Sequence, residues 1–210
     1  MIRTNDNDMQ HDASEEEVAK LRDAIVAFEP FNEQEAADKQ VILRALETDQ
    51  DCFNRSAQAH MACSIWVVDP AYAQTLLVYH NIYDSWSWIG GHADGERNLR
   101  AVALCELEEE TGVRHARIVP CGPGDIFSLE VLTVDGHEKH GQYVSSHLHL
   151  NVTYLAVADP EEATRIKPDE NSGVKWAPLE DAIRLSTEPW IRDRIYRKLI
   201  DKLAQIQPRI

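Results

Sequence analysis

The stretch GGHADGERNLRAVALCELEEETGV, residues 90–113, determines how the rest of the chain is interpreted. Its opening glycines predict a tight loop, and a helix is predicted over residues 98–111. Gly112 follows this helix at the position that favours a left-handed cap. At about 100° per residue, the helix presents an apolar stripe that must face the protein. The stripe consists of Leu99, Val102 and Ala103.

Glutamates continue the apolar stripe. Glu106 and Glu110 fall on its face, Glu109 lies at its edge, and Glu108 points away. Anions in the last turns of a helix are disfavoured by about 0.3–1 kcal/mol each, and like charges three or four residues apart repel further. A solvated acidic face is the alternative, but it does not explain why the carboxylates share the buried face. Clustered carboxylates beside a loop that offers backbone carbonyls predict a site for a hard cation, Mg²⁺ or Mn²⁺.

The segment from Gly91 to Val113 resembles the Nudix box. That pattern is Gly, five residues, Glu, seven residues, then Arg-Glu-apolar-any-Glu-Glu-any-Gly-apolar. Arg97 stands where the pattern has its first Glu, and Cys105 stands where it has Arg. In the family that the segment resembles, the Glu and Arg at these two positions form an ion pair that braces the loop against the helix. Because both partners are missing together, the resemblance implies a replaced brace, with Glu96 as a candidate. The matching positions are Gly91, Glu106, Leu107, Glu109, Glu110, Gly112 and Val113.

The resemblance covers roughly residues 60–185 and extends beyond the box. Residues 86–91 are similar to the strand that enters the family's loop, although Ile89 replaces the usual proline. Glu170 lies six residues before Trp176, a spacing similar to the late metal-binding glutamate of some Nudix enzymes.

The resemblance implies a Nudix-type α/β/α sandwich with a mixed sheet. It also implies metal-dependent hydrolysis of a nucleoside diphosphate linked to another moiety. The implied metal ligands are Glu106, Glu110 and the backbone carbonyl of Gly91, with Glu109 as a further ligand or catalytic group. Glu170 is the candidate for an extra ligand or general base, and a solvent-exposed loop carboxylate is its alternative.

Candidate substrate contacts lie outside the box. His147 and His149 alternate on one predicted strand face, so both are predicted to line the pocket, unless they are ordinary core or surface histidines. Trp86 is a candidate for stacking on a nucleobase, although such residues are more often core or loop anchors. His137 and His140 in a polar loop are weak evidence for zinc. The cysteines show no CxxC pairing and predict reduced thiols.

Two other functions use the same fold. Isopentenyl-diphosphate isomerases resemble Nudix proteins but need a catalytic cysteine near the start of this loop, where residues 90–92 offer none. A catalytically silent Nudix domain that binds or senses a nucleotide stays open, because Arg97 and Cys105 depart from the pattern.

The surrounding sequence predicts an α/β domain with extra helices at both ends. We expect a disordered tail over residues 1–13, a helical extension over 14–50 and a Nudix domain over 51–210 that includes the C-terminal helix. The predicted helices are 15–28, 32–48, 98–111, 179–185 and 189–206. The predicted strands are 62–68, 75–79, 85–88, 116–120, 126–134, 143–157 and 175–178, with a loop over 135–142.

The formal net charge of −15 restricts the partners. A protein this acidic repels a nucleic-acid backbone, and we therefore expect no duplex as a partner. If the substrate is a polyphosphate, divalent cations must offset its negative charge. No stretch approaches about 18 uninterrupted apolar residues, so no membrane partner is predicted. The N-terminus lacks the apolar core of a secretory signal. We therefore expect a cytoplasmic protein that acts on a small-molecule phosphate ester, and the resemblance makes a homodimer one option.

Overall fold

The computed structural model describes residues 6–139 and 141–206, which form a mixed sheet with helices on both faces. The helices are α1 Asp6–Ala27, α2 Glu33–Thr48, α3 Leu99–Thr111, α4 Leu179–Leu185 and α5 Arg197–Ile206. The strands are β1 Ala59–Val68, β2 Gln74–His80, β3 Ser85–Ser87, β4 Ile89–His92, β5 Arg117–Ile118, β6 Ile126–Val134, β7 His137–Lys139, β8 Gln142–Val144, β9 His147–Val157 and β10 Asn171–Pro178.

Strand β1 lies at the centre of the sheet. The strand order is β10-β2-β1-β9-β5, and β3, β4 and β6 add to β2, β1 and β9 respectively. Strands β1 and β9 run parallel with His60 opposite His149, whereas the other pairs are antiparallel. Residues 62–65 of β1 pair with β4 on the other edge, so β1 joins the glycine segment to β9.

Alternation of side chains along β1 produces two hydrophobic cores. Met61 and Cys63 belong to the core that helices α1, α2 and α3 cover. Trp66 and Val68 belong to the core on the opposite face, together with residues of α4 and α5. This arrangement confirms the predicted α/β/α sandwich with a mixed sheet and helices at both ends.

Helix α3 has the ends that its sequence predicts. The side chain of Asn98 accepts a hydrogen bond from the backbone N–H of Ala101 at 3.1 Å, which caps the first turn. Gly112 adopts φ 82° and its N–H donates to the carbonyl of Glu108 at 2.9 Å. A residue with a side chain would be strained in this left-handed conformation, so the glycine fixes where the helix stops.

The first helix is longer than predicted. Helix α1 begins at Asp6, well before the expected start at residue 15, so part of the segment expected to be a disordered tail is helical. Residues 1–5 lie outside the described residues, and the division of the chain into tail, extension and Nudix domain stays a prediction.

The predicted loop over residues 135–142 is wrong in part. Strands β7 and β8 form a separate antiparallel hairpin there, so the strand predicted over 143–157 is divided. Gly141 adopts φ +75° at the start of β8, a conformation that permits the tight reversal. The helix predicted over 189–206 contains a π-helical segment, Ile191–Tyr196, before α5 begins.

A buried charged network joins α2, the sheet and α5. The Lys198 ammonium lies 2.8 Å from Oε1 of Glu130 and 3.4 Å from Oε1 of Glu35. All three residues are at most 3% exposed. Burial alone would raise the pKa of Glu130, but the charge of Lys198 and hydrogen bonds from Lys198, Ser128 and Thr153 lower it. The network therefore fixes the N-terminal helical extension against the rest of the chain.

Candidate active site

Helix α3 carries two of its glutamates toward the protein. Glu110 is 3% exposed and shares the buried face of Leu99, Ala103 and Leu107. Glu106 is half-buried on the same side, whereas Cys105 is exposed. Glu108 pairs with Arg114 at 2.7 Å. The helical phase deduced from the apolar stripe is the phase that the structure shows.

The two glycines of β4 pack directly against these carboxylates. The backbone N–H of Gly90 donates to Oε1 of Glu110 at 3.2 Å. A Cβ atom on Gly91 would overlap the carboxylate of Glu106, which would have to move to admit it. Strand pairing of β4 with β1 holds this close approach in place. The glycine segment and the acidic helix are therefore one unit.

A third carboxylate comes from a distant part of the sequence. Glu106, Glu110 and Glu170 each place a carboxylate oxygen so that all three atoms lie within 4.8 Å of one another. The neighbouring Asn171 is fully buried, and its side chain donates to the backbone carbonyl of Glu110 at 3.0 Å. The carbonyl of Glu170 accepts from the N–H of Asn81 at 3.0 Å. These contacts hold the start of β10 beside the last turn of α3.

Burial raises the pKa of two of the clustered carboxylates, Glu106 and Glu110. Burial, and then the charges of nearby carboxylates, raise the pKa of Glu106 to about 7 against the opposing effect of Lys167. Burial and the charge of Glu106 raise the pKa of Glu110 to about 8. Three clustered carboxylates next to backbone carbonyls are a hard oxygen donor set. The residues present therefore fit a divalent cation.

Glu109 lies apart from the three clustered carboxylates. Its side chain is 58% exposed, and Lys167 lies 2.9 Å from its Oε2. The same ammonium lies 3.0 Å from Oε2 of Glu170. Lys167 therefore links the exposed and the clustered carboxylates, a contact between residues too far apart in sequence for a local pattern to predict.

Contacts with Phe53 and Glu96 hold the loop that precedes α3. The guanidinium of Arg97 lies 4.3 Å from the ring centroid of Phe53, and the N–H of Gly95 donates to the Phe53 carbonyl at 2.9 Å. Oε1 of Glu96 accepts from the N–H groups of Arg97 and Asn98 at 2.7 and 2.9 Å. These contacts connect the loop to the segment before β1 and to the first turn of α3.

A cavity of about 150 Å³ lies beside β4, bordered by Gly91 and His92. Of the predicted substrate contacts, His149 lines it. Trp86 is not among its lining residues; its ring lies 5.4 Å from that of Tyr79 and 3.9 Å from the ammonium of Lys175.

The structure adds two histidines to the predicted pair. His60 and His92 lie next to His147 and His149, with ring centroids 4.7–5.2 Å apart for the contacts among them. Burial, and then the neighbouring histidines, lower the pKa of His149 to about 2. Alternation along a strand predicts His147 with His149, but His60 and His92 join them through strand register. His140 lies outside the described residues.

Solved structures share this fold. The E. coli dihydroneopterin triphosphate pyrophosphohydrolase aligns with a TM-score of 0.51 and 14% identity, over 67% of this chain and 95% of that one. The Nudix hydrolase RenU from M. smegmatis aligns with a TM-score of 0.50 and 14% identity, over 72% and 89%. At these identities the likeness shows the fold alone. No curated protein sequence matches this chain.

The family model of the NUDIX domain matches residues 59–199, well over half of the chain. This match and the fold define the class of protein as a hydrolase of acid anhydrides, which cleaves pyrophosphate bonds in nucleotide-linked substrates. The chain belongs to the NUDIX family, whose hydrolases use divalent metal ions.

Proposed function

We propose that this protein is a Mg²⁺- or Mn²⁺-dependent pyrophosphohydrolase that cleaves a nucleoside diphosphate linked to another moiety. The observation that carries the proposal is the group Glu106, Glu110 and Glu170, with one oxygen of each within 4.8 Å of the others. Charges of the same sign at such separations repel each other, most strongly where water is excluded. A divalent cation among them would turn this repulsion into attraction.

The proposed ligands are Glu106, Glu110 and the backbone carbonyl of Gly91. When bound, the ion supplies positive charge to phosphate oxygens and acidifies a coordinated water. Glu170 is the proposed extra ligand or general base, and Lys167 orients its carboxylate through the 3.0 Å contact. The buried environment of Glu110 excludes water from one side of the site.

The carboxylate of Glu109 lies apart from those of the other proposed ligands. We retain it as a proposed ligand or catalytic group because it matches the family's pattern and because Lys167 contacts both it and Glu170. Its carboxylate is largely exposed, so it would have to leave Lys167 to reach an ion between Glu106 and Glu110. Replacing it should therefore affect the reaction less than replacing Glu110.

The reacting phosphates would lie at the clustered carboxylates; the cavity beside Gly91 and His92, where His149 forms part of the wall, is lined by none of these three side chains. Contacts from His147, His149 and Trp86 to the substrate stay predictions, as do a cytoplasmic location and a homodimer. Among the described residues, no helix combines the length and apolarity needed to cross a lipid bilayer.

A hydrolysis screen tests the proposal. The panel comprises nucleotide sugars, ADP-ribose, dinucleoside polyphosphates, coenzyme A and oxidised nucleotides, each with Mg²⁺, Mn²⁺ or a chelator. We expect release of a nucleoside monophosphate or phosphate product from at least one substrate, abolished by the chelator and restored by the ion. A nucleotide that raises the melting temperature but is not hydrolysed with either ion would instead favour the silent, nucleotide-sensing alternative, which Arg97 and Cys105 leave open.

A further inference from the structure

Four histidines from three strands of the sheet meet at one point. One ring nitrogen from each of His60, His92, His147 and His149 lies within 4.8 Å of the others. The strand pairing explains this convergence. His60 on β1 is opposite His149 on β9, while His92 on β4 is opposite Ala62, two residues further along β1. Side chains two residues apart on a strand share a face, so all four rings project to the same side.

The ring nitrogens face one another at short range. Nε2 of His149 lies 3.0 Å from Nε2 of His92 and 3.1 Å from Nε2 of His147. A proton on His149 can bridge one of these contacts well, but not both. Tetrahedral zinc with Zn–N bonds of about 2.0–2.1 Å would place its nitrogens roughly 3.3 Å apart. The observed separations are close to that spacing.

In two of the rings, a backbone carbonyl beside Nδ1 determines which ring nitrogen carries the proton and which has the free lone pair. Nδ1 of His60 lies 2.9 Å from the carbonyl of Ala57, and Nδ1 of His147 lies 2.8 Å from the carbonyl of Ser145. A carbonyl can only accept, so Nδ1 carries the proton in both rings. A neutral ring then has its lone pair on Nε2, and a carbonyl in this position is the usual partner of a metal-binding histidine.

The Nε2 atom of His60 gives independent support. His60 is 2% exposed, and this buried nitrogen has no hydrogen-bond partner among the described residues. A buried polar atom without a hydrogen bond is unfavourable, because it has lost its hydrogen bonds to water and gained none in the protein. A cation at the centre of the cluster would satisfy it.

The histidines and the carboxylates occupy opposite faces of the sheet. His92 is opposite Ala62, whereas the preceding Gly91 is opposite Cys63, whose side chain lies in the core beneath α3. The histidine cluster therefore requires neither Glu106 nor Glu110. Imidazole nitrogens suit borderline transition metals, whereas Mg²⁺ prefers oxygen ligands, so the two sites should also differ in the ion they select.

We propose that His60, His92, His147 and His149 together bind one divalent metal ion of intermediate softness, such as Zn²⁺, in a four-coordinate site. The ion would tie β1, β4 and β9 together at the end of the strand that carries Gly91. A coordinated imidazole still presents its ring carbons to its surroundings, so His149 keeps its place in the cavity wall. This inference stands whether or not the carboxylate site hydrolyses the proposed substrates.

Titration with Co²⁺, a spectroscopic stand-in for Zn²⁺, tests the proposal on protein without a polyhistidine tag. We expect one equivalent to bind with the intense visible bands of tetrahedral cobalt, and Zn²⁺ to displace it. His60→Gln and His149→Gln should weaken cobalt binding by about 100-fold or more. Even the loss of a residue that only hydrogen-bonds to a metal ligand typically reduces metal affinity about 10–100-fold. His115→Gln is the matched control, because that ring is 85% exposed and lies outside the cluster. Glu110→Gln should also leave the bands unchanged.

A second measurement covers variants that fold poorly. Zn²⁺ should raise the melting temperature of the wild type but not of His147→Gln, whose ring is only half-buried and whose replacement should leave the fold intact. The proposal is overturned if wild-type protein binds no Co²⁺ or gives only the weak bands of six-coordinate cobalt. Equal binding by the His60, His147 and His149 variants would overturn it too, as would loss of the bands in Glu110→Gln.

Discussion

The backbone N–H of Gly90 donates a hydrogen bond to the carboxylate of Glu110, 3.2 Å away, in a part of the protein from which water is largely excluded. The glycine strand and the acidic helix are thereby joined at a carboxylate whose charged form is disfavoured by burial. A carboxylate held there needs either a proton or a cation.

We expect Glu110→Gln to reduce turnover by about 100-fold or more, because a metal ion stabilises the transition state by several kcal/mol. The amide oxygen can still accept from Gly90, so the melting temperature in chelator should stay the same or rise. Steady-state kinetics on the substrate found by screening, and melting curves in chelator, measure both quantities.

Glu108→Gln is the matched control for that variant. Glu108 lies between Glu106 and Glu110 in the sequence but points outward and pairs with Arg114. Its turnover should be close to that of the wild type. If the two variants behave alike, the assignment of Glu110 as a metal ligand is wrong.

The stability of the metal-free protein should depend on pH. The folded-state pKa values of Glu106 and Glu110, about 7 and about 8, exceed the ordinary value of 4.5 expected in the unfolded chain. Between about pH 4.5 and these raised pKa values, Glu106 and Glu110 hold more protons in the native state than in the unfolded state. The two groups therefore make the free energy of unfolding fall as the pH rises. Denaturant titrations in chelator between about pH 5 and pH 8 measure the slope.

The Glu110→Gln variant isolates this effect, because other groups also titrate in the range. Its slope should be less negative than that of the wild type. Added Mg²⁺ should stabilise the wild type more at high pH, since the ion binds the deprotonated carboxylates. Identical slopes in the two proteins would show that Glu110 has an ordinary pKa.

Gly91→Ala should displace Glu106, since the new methyl group would occupy the space of its carboxylate. We expect a loss of about 1–3 kcal/mol in stability, typical of overpacking, together with reduced turnover. Shortening the neighbour in Glu106→Asp makes room, so the same glycine substitution should destabilise that background less. Chemical denaturation of the four proteins gives the coupling energy, and a value near zero would contradict the close packing described here.

Lys198→Met should destabilise the protein by about 3–5 kcal/mol, because it leaves the buried carboxylate of Glu130 without its cation. The loss should appear in urea unfolding even though the residue is far along the chain from Glu130. Lys20→Met is the control, since Lys20 pairs with Glu16 and Glu17 on the exposed face of α1 and should change stability by no more than about 0.5 kcal/mol. Equal effects would mean that the buried network contributes little.

Local sequence was sufficient for the helix that carries the site. The apolar stripe gave the phase of α3, and Gly112 gave its end, because helical periodicity and a left-handed cap depend only on neighbouring residues. The same reasoning identified Glu106 and Glu110 as inward-facing. The spacing of Glu170 from Trp176 pointed to a third carboxylate through resemblance to a family, and could not show where that carboxylate lies.

Tertiary structure decided which distant side chains meet. Lys167 takes Glu109 away from the clustered carboxylates, Lys198 reaches Glu130, and Trp86 packs under Lys175 instead of lining the cavity. His60 and His92 reach His149 only because β1 pairs with β9 and β4 in one particular register. A slip of one residue would turn every side chain of a strand to the other face. Register is set by packing across the whole sheet, so no pattern within a single strand of this protein could specify it.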